Sequence, residues 1–190
     1  MPLIRVFFAI SFSREIQDTL CDVTQQLKKH LPPNHIRWSQ PDDFHITLQF
    51  LKALDENDIP QLNTSVRNQL KLFPPFFLEL GELELFPTPA HPRVISIKVS
   101  PEASLAELSH RVGISITHTH YPIKKRPFRA HLTLGHIREQ ASQTLSFKDI
   151  TLPTFPKIPV REITLYQSIP AKSGAHYQPL AHFHLRGDST

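Results

Sequence analysis

At 190 residues the chain suits one domain, or one domain made of two similar lobes, and is long enough to bury a real core. Apolar residues at 39% and charged residues at 20% exclude a disordered chain, while the single cysteine, Cys21, excludes an internal disulfide and a thiolate zinc cluster. A net charge of +4 with a pI near 9.3 is compatible with an anionic partner. No apolar run approaches the roughly 18 residues that cross a bilayer. Leu3 to Phe12 is apolar but short, contains Arg5 and lacks a small-residue cleavage site, so it reads as part of the fold and not as a secretory leader. The expectation is a cytoplasmic protein with no membrane association.

Taken in order, Leu3 to Ile10 is rich in β-branched and aromatic residues and predicts a buried strand. Ser13 is placed to cap a helix whose apolar stripe is Ile16, Leu20, Val23 and Leu27, with Lys28, Lys29 and His30 suiting its C-terminus and Pro32-Pro33 stopping it. Ile36 to Trp38 predicts a short strand, and Phe44 to Leu51 a longer one after the turn at Pro41-Asp42-Asp43. Asp55 to Leu72 predicts a second amphipathic helix, with Pro60 in its first turn, where a missing N–H costs little. Phe76 to Phe86 and Val94 to Val99 predict a strand pair joined through Pro87, Pro89 and Pro92. A third helix opens at Pro101-Glu102 with Leu105, Leu108, Val112 and Ile116 on one side, followed by a basic loop from Thr119 to Pro127. Phe128 to Ile137 predicts a strand, Thr151 to Pro159 a stiff connection, and Val160 to Gln167 and Tyr177 to Leu185 two last strands around a turn at Ser173-Gly174. The order is that of an α+β protein forming a single domain over residues 1–190.

One pattern occurs twice. Phe44-His45-Ile46-Thr47-Leu48 returns as Ala130-His131-Leu132-Thr133-Leu134, once in each half of the chain. Successive side chains on a strand point to opposite faces, so His45 and Thr47 share one face while Ile46 and Leu48 share the other, and the second copy does likewise. Two such strands side by side would bring two imidazoles and two hydroxyls to one cleft. With an ordinary pKa near 6.5, one imidazole can be neutral while the other is protonated, which supplies a general base and a general acid together. Threonine hydroxyls can donate to the non-bridging oxygens of a phosphate. A substrate attacked at phosphorus on one side and losing oxygen on the other needs those four groups and requires no metal, since the positive charge comes from imidazolium and nearby Arg or Lys. A single His-x-Thr is usually only a strand with a solvated polar face; two copies on predicted strands are hard to place by chance.

These residues, with Val6 to Ile10, Gln49-Phe50-Leu51, Arg126-Pro127-Phe128, Gly135, Ile163 to Ser168 and Tyr177 to Leu180, resemble the 2H phosphoesterases, and among them the RNA 2′,3′-cyclic phosphodiesterases once called 2′-5′ RNA ligases. The resemblance runs along nearly the whole chain. It implies a bilobal, duplicated α+β fold in which two antiparallel sheets flank a central cleft with helices outside. It also implies metal-independent hydrolysis of an RNA 2′,3′-cyclic phosphate to a 2′-phosphate, with a related 2′-5′ RNA ligase activity. By the resemblance, His45 would protonate the leaving 3′ oxygen, His131 would activate water, and Thr47 and Thr133 would hold the phosphate; spacing alone leaves open which histidine is acid and which is base. Phe50 would lie against a nucleobase. The chain departs from the family pattern at Ala130, where many relatives have proline, and at His136, where relatives have arginine. A histidine there offers charge only when protonated, and Arg138, two residues on, is the expected substitute. Arg126, with Lys124 and Lys125, would form a basic rim for an RNA end.

Other readings differ in class. An RNA-end-binding module without turnover would keep the basic rim and dispense with the histidines. A metal-dependent hydrolase would use clustered histidines, but His118-Thr119-His120 and His182-Phe183-His184 lack neighbouring acidic or cysteine ligands and read as surface pairs. The expectation is therefore no cofactor, no metal, RNA ends or small cyclic nucleotides as partners, and a monomer.

Overall fold

The structure, a computed structural model, describes residues 2–32, 34–123, 127–138, 145–171 and 174–187. Its first strand, β1 (Leu3–Ser11), is buried on both faces from Val6 to Ile10, which is why it reads as a continuous apolar run. Helix α1 (Arg14–His30) buries Ile16, Leu20, Val23 and Leu27 as its spacing predicts. Ser13 occupies the N-cap position, but its hydroxyl makes no capping bond; its carbonyl accepts the Gln17 N–H at 3.0 Å. After β2 (Ile36–Trp38) and a 3₁₀ turn over Pro41–Asp43, β3 (His45–Asp55) runs four residues past its predicted end. The extra length is paired: Leu54 lies opposite Ile4 of β1 and is fully buried. Consequently the second helix does not begin at Asp55, whose carboxylate instead accepts the Asn57 N–H in a 3₁₀ turn; α2 is Ile59–Leu70.

Strands β4 (Phe76–Phe86) and β5 (Val94–Ser100) pair as expected, and α3 (Glu102–His118) follows. The second histidine strand, β6, is His131–Ile137, beginning at the histidine itself and not at Phe128. The strand predicted over Val160 to Gln167 is two strands in different sheets, β7 (Ile158–Val160) on β4 and β8 (Glu162–Ala171) on β1, with Arg161 alone between them. β9 (Gly174–His184) returns along β8; Ser173 of the expected turn lies outside the described residues.

Two antiparallel sheets result, ordered β3-β1-β8-β9 and β2-β6-β5-β4-β7, with one histidine strand in each. Helix α3 packs on α2 and touches β3 and β5, one strand of each sheet. Gln49 reaches from β3 to α3, donating to the Ser109 carbonyl at 3.1 Å. The alternation predicted for both motifs holds: Ile46, Leu132 and Leu134 are fully buried in one continuous core. Each such side chain stabilises the fold by about 1.5–3 kcal/mol and thereby anchors the polar face of its strand.

Candidate active site

His45, Thr47, His131 and Thr133 all line one cleft of about 800 Å³. Each imidazole is held in the same way. His45 Nδ1–H donates to the Asp43 carbonyl at 2.7 Å, and His131 Nδ1–H to the Arg129 carbonyl at 2.9 Å, in both cases two residues back along the chain. That bond places the proton on Nδ1 and makes Nε2 the acceptor nitrogen of the neutral ring. At His45 the Nε2 lone pair accepts from the Thr47 hydroxyl at 3.0 Å. Burial holds the His45 imidazole down at about 4, opposed by the Asp43 carbonyl bond and reinforced by positive charge on His131 and His136.

Aromatic rings back both histidines. Phe7 lies 4.8 Å from the His45 ring and Tyr177 meets it edge-on at 5.3 Å. Tyr166 stacks behind Phe7 at 5.4 Å, its hydroxyl 2.6 Å from that of Ser11. Phe86, at the end of β4, stacks on His131 at 3.9 Å with an 18° tilt, and the Arg129 guanidinium covers that phenyl ring at 4.7 Å. Trp38 forms cleft wall and packs against the core as well.

Phe50 borders a second hollow of about 340 Å³ that shares His45, Thr47 and Tyr177 with the cleft. Simple alternation from Thr47 would bury Phe50. Between β1 and β3, however, Phe8 faces Gln49 while Ala9 faces Thr47, so Leu48 is an extra residue and the phase reverses. Phe50 then lies opposite Phe7, on the cleft side. His136 lines cleft and hollow, and its pKa is lowered by burial first and by Arg37 second, which leaves it a poor source of charge at neutral pH. Arg138 does not take its place: β6 has ended, the Arg138 N–H donates to the His35 carbonyl, and the side chain borders a separate hollow with Lys28, Asn34 and Trp38. Arg126, Lys124 and Lys125 lie outside the described residues.

The cation beside His136 is Arg37, its partner in the β2–β6 register, which lines both cleft and hollow. Its guanidinium reaches the other sheet: a Cβ on Gly174, at the start of β9 with φ +143°, would stand 2.8 Å from Arg37 Nη1. Arg37 was not singled out from the sequence, nor were Phe86, His91, Arg93 or His176, which also line the cleft. They lie at or between predicted strands with no motif of their own; it takes the pairing of β2 with β6, of β4 with β5, of β5 with β6 and of β8 with β9 to bring them in. Among the described residues no three His, Cys, Asp or Glu side chains group as a metal site requires. His182 and His184 instead lie beside Glu162, at 3.7 and 3.3 Å.

Comparison with known proteins agrees with this geometry. The family model for LigT-like phosphoesterases matches residues 10–96. An Aquifex aeolicus RNA 2′,3′-cyclic phosphodiesterase is 26% identical over 98% of this chain and 100% of its own length. A Bacillus subtilis protein of the same name is 31% identical over 52% of this chain, a stretch spanning 54% of that relative. The crystal structure of E. coli LigT complexed with 3′-AMP superposes with a TM-score of 0.79 at 27% identity, covering 97% of this chain and 99% of that one; other LigT crystals hold NADP+, ATP and phosphate. Two sheets, each presenting a His-x-Thr strand to a shared cleft, are the arrangement that the resemblance to 2H phosphoesterases implies. The chain is similar to the LigT-like phosphoesterases, to the family model over residues 10–96 and to E. coli LigT along nearly its whole length.

Proposed function

We propose that the chain hydrolyses RNA 2′,3′-cyclic phosphate ends to 2′-phosphates without a metal, working as one domain of two related lobes. The observation that carries this is the meeting of both His-x-Thr pairs in one cleft, each imidazole pinned through Nδ1–H with Nε2 left for proton transfer. His131 takes a proton from water as its oxygen bonds to phosphorus; the bond from phosphorus to the 3′ oxygen breaks, and His45 gives that oxygen its proton. The product is a 2′-phosphomonoester and a free 3′-hydroxyl, and the two histidines re-equilibrate with solvent. An RNA 5′-hydroxyl in place of water leads by the same transfers to a 2′–5′ linkage.

His45 is neutral in the empty cleft, so its proton arrives with the substrate: an anionic phosphate beside the ring favours imidazolium, as the Asp43 carbonyl already does. A protonated Nε2 no longer accepts from Thr47, and that hydroxyl turns to the phosphate together with Thr133. Both histidines come from one chain, so a monomer suffices, and a cytoplasmic setting suits RNA ends as substrates.

The test is to incubate the protein with an oligoribonucleotide ending in a 2′,3′-cyclic phosphate in excess EDTA and identify the monophosphate formed. A 2′-phosphate is expected, with His45→Ala and His131→Ala each losing about 10²–10⁴-fold in kcat/KM. A 3′-phosphate, or turnover abolished by EDTA, contradicts the proposal; binding that survives loss of both histidines, with no product from the wild type, favours an RNA-end-binding module instead.

A further inference from the structure

The hollow beside the cleft has an unusual balance of charge. Arg5 and Arg37 both line it, with His136, Ser168, Phe50 and Tyr177, and no acidic side chain among the described residues does. Among the described residues neither arginine has an ion-pair partner there. The Arg5 guanidinium lies 5.5 Å above the Phe50 ring, a contact that fixes its direction and leaves its N–H groups unspent. Arg37 enters from β2 on the opposite sheet and is held over Gly174. Asp43 is the carboxylate that feels Arg37, yet it stands on the far side in the main cleft, where it accepts from the Gln40 N–H. Two guanidinium groups converging on one small space repel each other unless an anion lies between them. The space is continuous with the reacting centre, since His45 and Thr47 form the wall common to both.

We propose that this hollow is a second phosphate subsite, in which Arg5 and Arg37 hold the 5′-phosphate of the terminal nucleotide while its 2′,3′-cyclic phosphate lies between the histidines. Guanidinium suits the role because its planar N–H groups match phosphate oxygens two at a time. Phe50 then has a double duty, supporting Arg5 on one face and closing the hollow behind the ribose. The subsite makes the chain select nucleotide ends that carry a phosphate on the 5′ side, as every nucleotide inside an RNA strand does, over bare nucleoside 2′,3′-cyclic phosphates. The inference rests on the activity proposed above, and binding measurements separate the two.

In the hydrolysis-impaired His131→Ala protein, calorimetry with adenosine 2′,3′-cyclic phosphate and its 5′-phosphorylated form should show the second binding at least about 10-fold tighter, the scale of one charge-assisted contact. Adding Arg5→Gln should bring the ratio toward one while leaving the affinity for the unphosphorylated form unchanged. Arg5→Lys, which keeps the charge on the same strand position but loses the planar fork, should retain part of the preference and shows that the strand is intact. Equal affinities in the Arg5-containing protein, or an Arg5→Gln loss of the same size for both ligands, overturns the subsite. The hydrolysis assay on the wild type decides the activity separately, so either can fail alone.

Discussion

A single imidazole shows how much the surroundings decide. His45 and His131 share the His-x-Thr-Leu pattern and the same Nδ1–H bond to the second preceding carbonyl, and His45 is enclosed by Phe7 and Tyr177 and held at about 4. If the proton on His45 comes with the substrate, the alkaline limb of kcat, which reports the complex, should lie at least about one pH unit above that of kcat/KM, which reports the free enzyme. Coincident limbs would show that substrate charge does not raise this group. The same depressed pKa sets a stability trend. Below the ordinary value near 6.5 the unfolded chain protonates His45, while the folded chain does not until about pH 4, so acid favours unfolding across that window. His45→Gln removes the effect, and its melting temperature should fall about 5–10 °C less than that of the wild type between pH 7 and 4.5.

Among the elements, β2 is short yet decides where the fixed charge goes. It runs beside β6, with Trp38 opposite Gly135 and Arg37 opposite His136. A Cβ at Gly135 would stand 2.7 Å from Ile36 Cγ2 and 3.0 Å from Trp38 Cε3, so this glycine is required by close approach and not by a turn. Gly135→Ala should destabilise the protein by about 1–3 kcal/mol in denaturant melts. Because β2 carries Arg37, the same change should raise KM more than it lowers kcat. The helical stripes, the doubled histidine motif and most strands were legible in the sequence, because burial imposes a period on residues close together in the chain. Three features were not. The extra residue at Leu48 turns Phe50 to the cleft side, the strand predicted from Val160 divides at Arg161, and Arg37 instead of Arg138 stands beside His136. Each depends on which strand lies alongside, and strand partners far apart in the chain leave no local period.

On the scale of the whole molecule, the two sheets are bound together by packing as well as by the chain, and β3 of one sheet meets β6 of the other directly. Helix α3 touches a strand of each, and the chain crosses from β7 to β8 within one residue. A common core runs beneath both. The spacing of the two imidazoles is thus set by packing that resists small changes of volume. The net charge of the protein is modest, at +4, and Arg5, Arg37 and Arg93 gather at the cleft and its hollow.

The placing of β1 between β3 and β8 has a bearing on how the protein is born. As the ribosome releases the chain, β1 can zip onto β3 early, but its other side stays bare until residues beyond 161 emerge. Until then the nascent polypeptide already contains both histidines and exposes a greasy, unpaired edge. A chain stopped after Arg161 should therefore keep every motif residue and still be inactive and prone to clump, as sedimentation of the translated fragment would show.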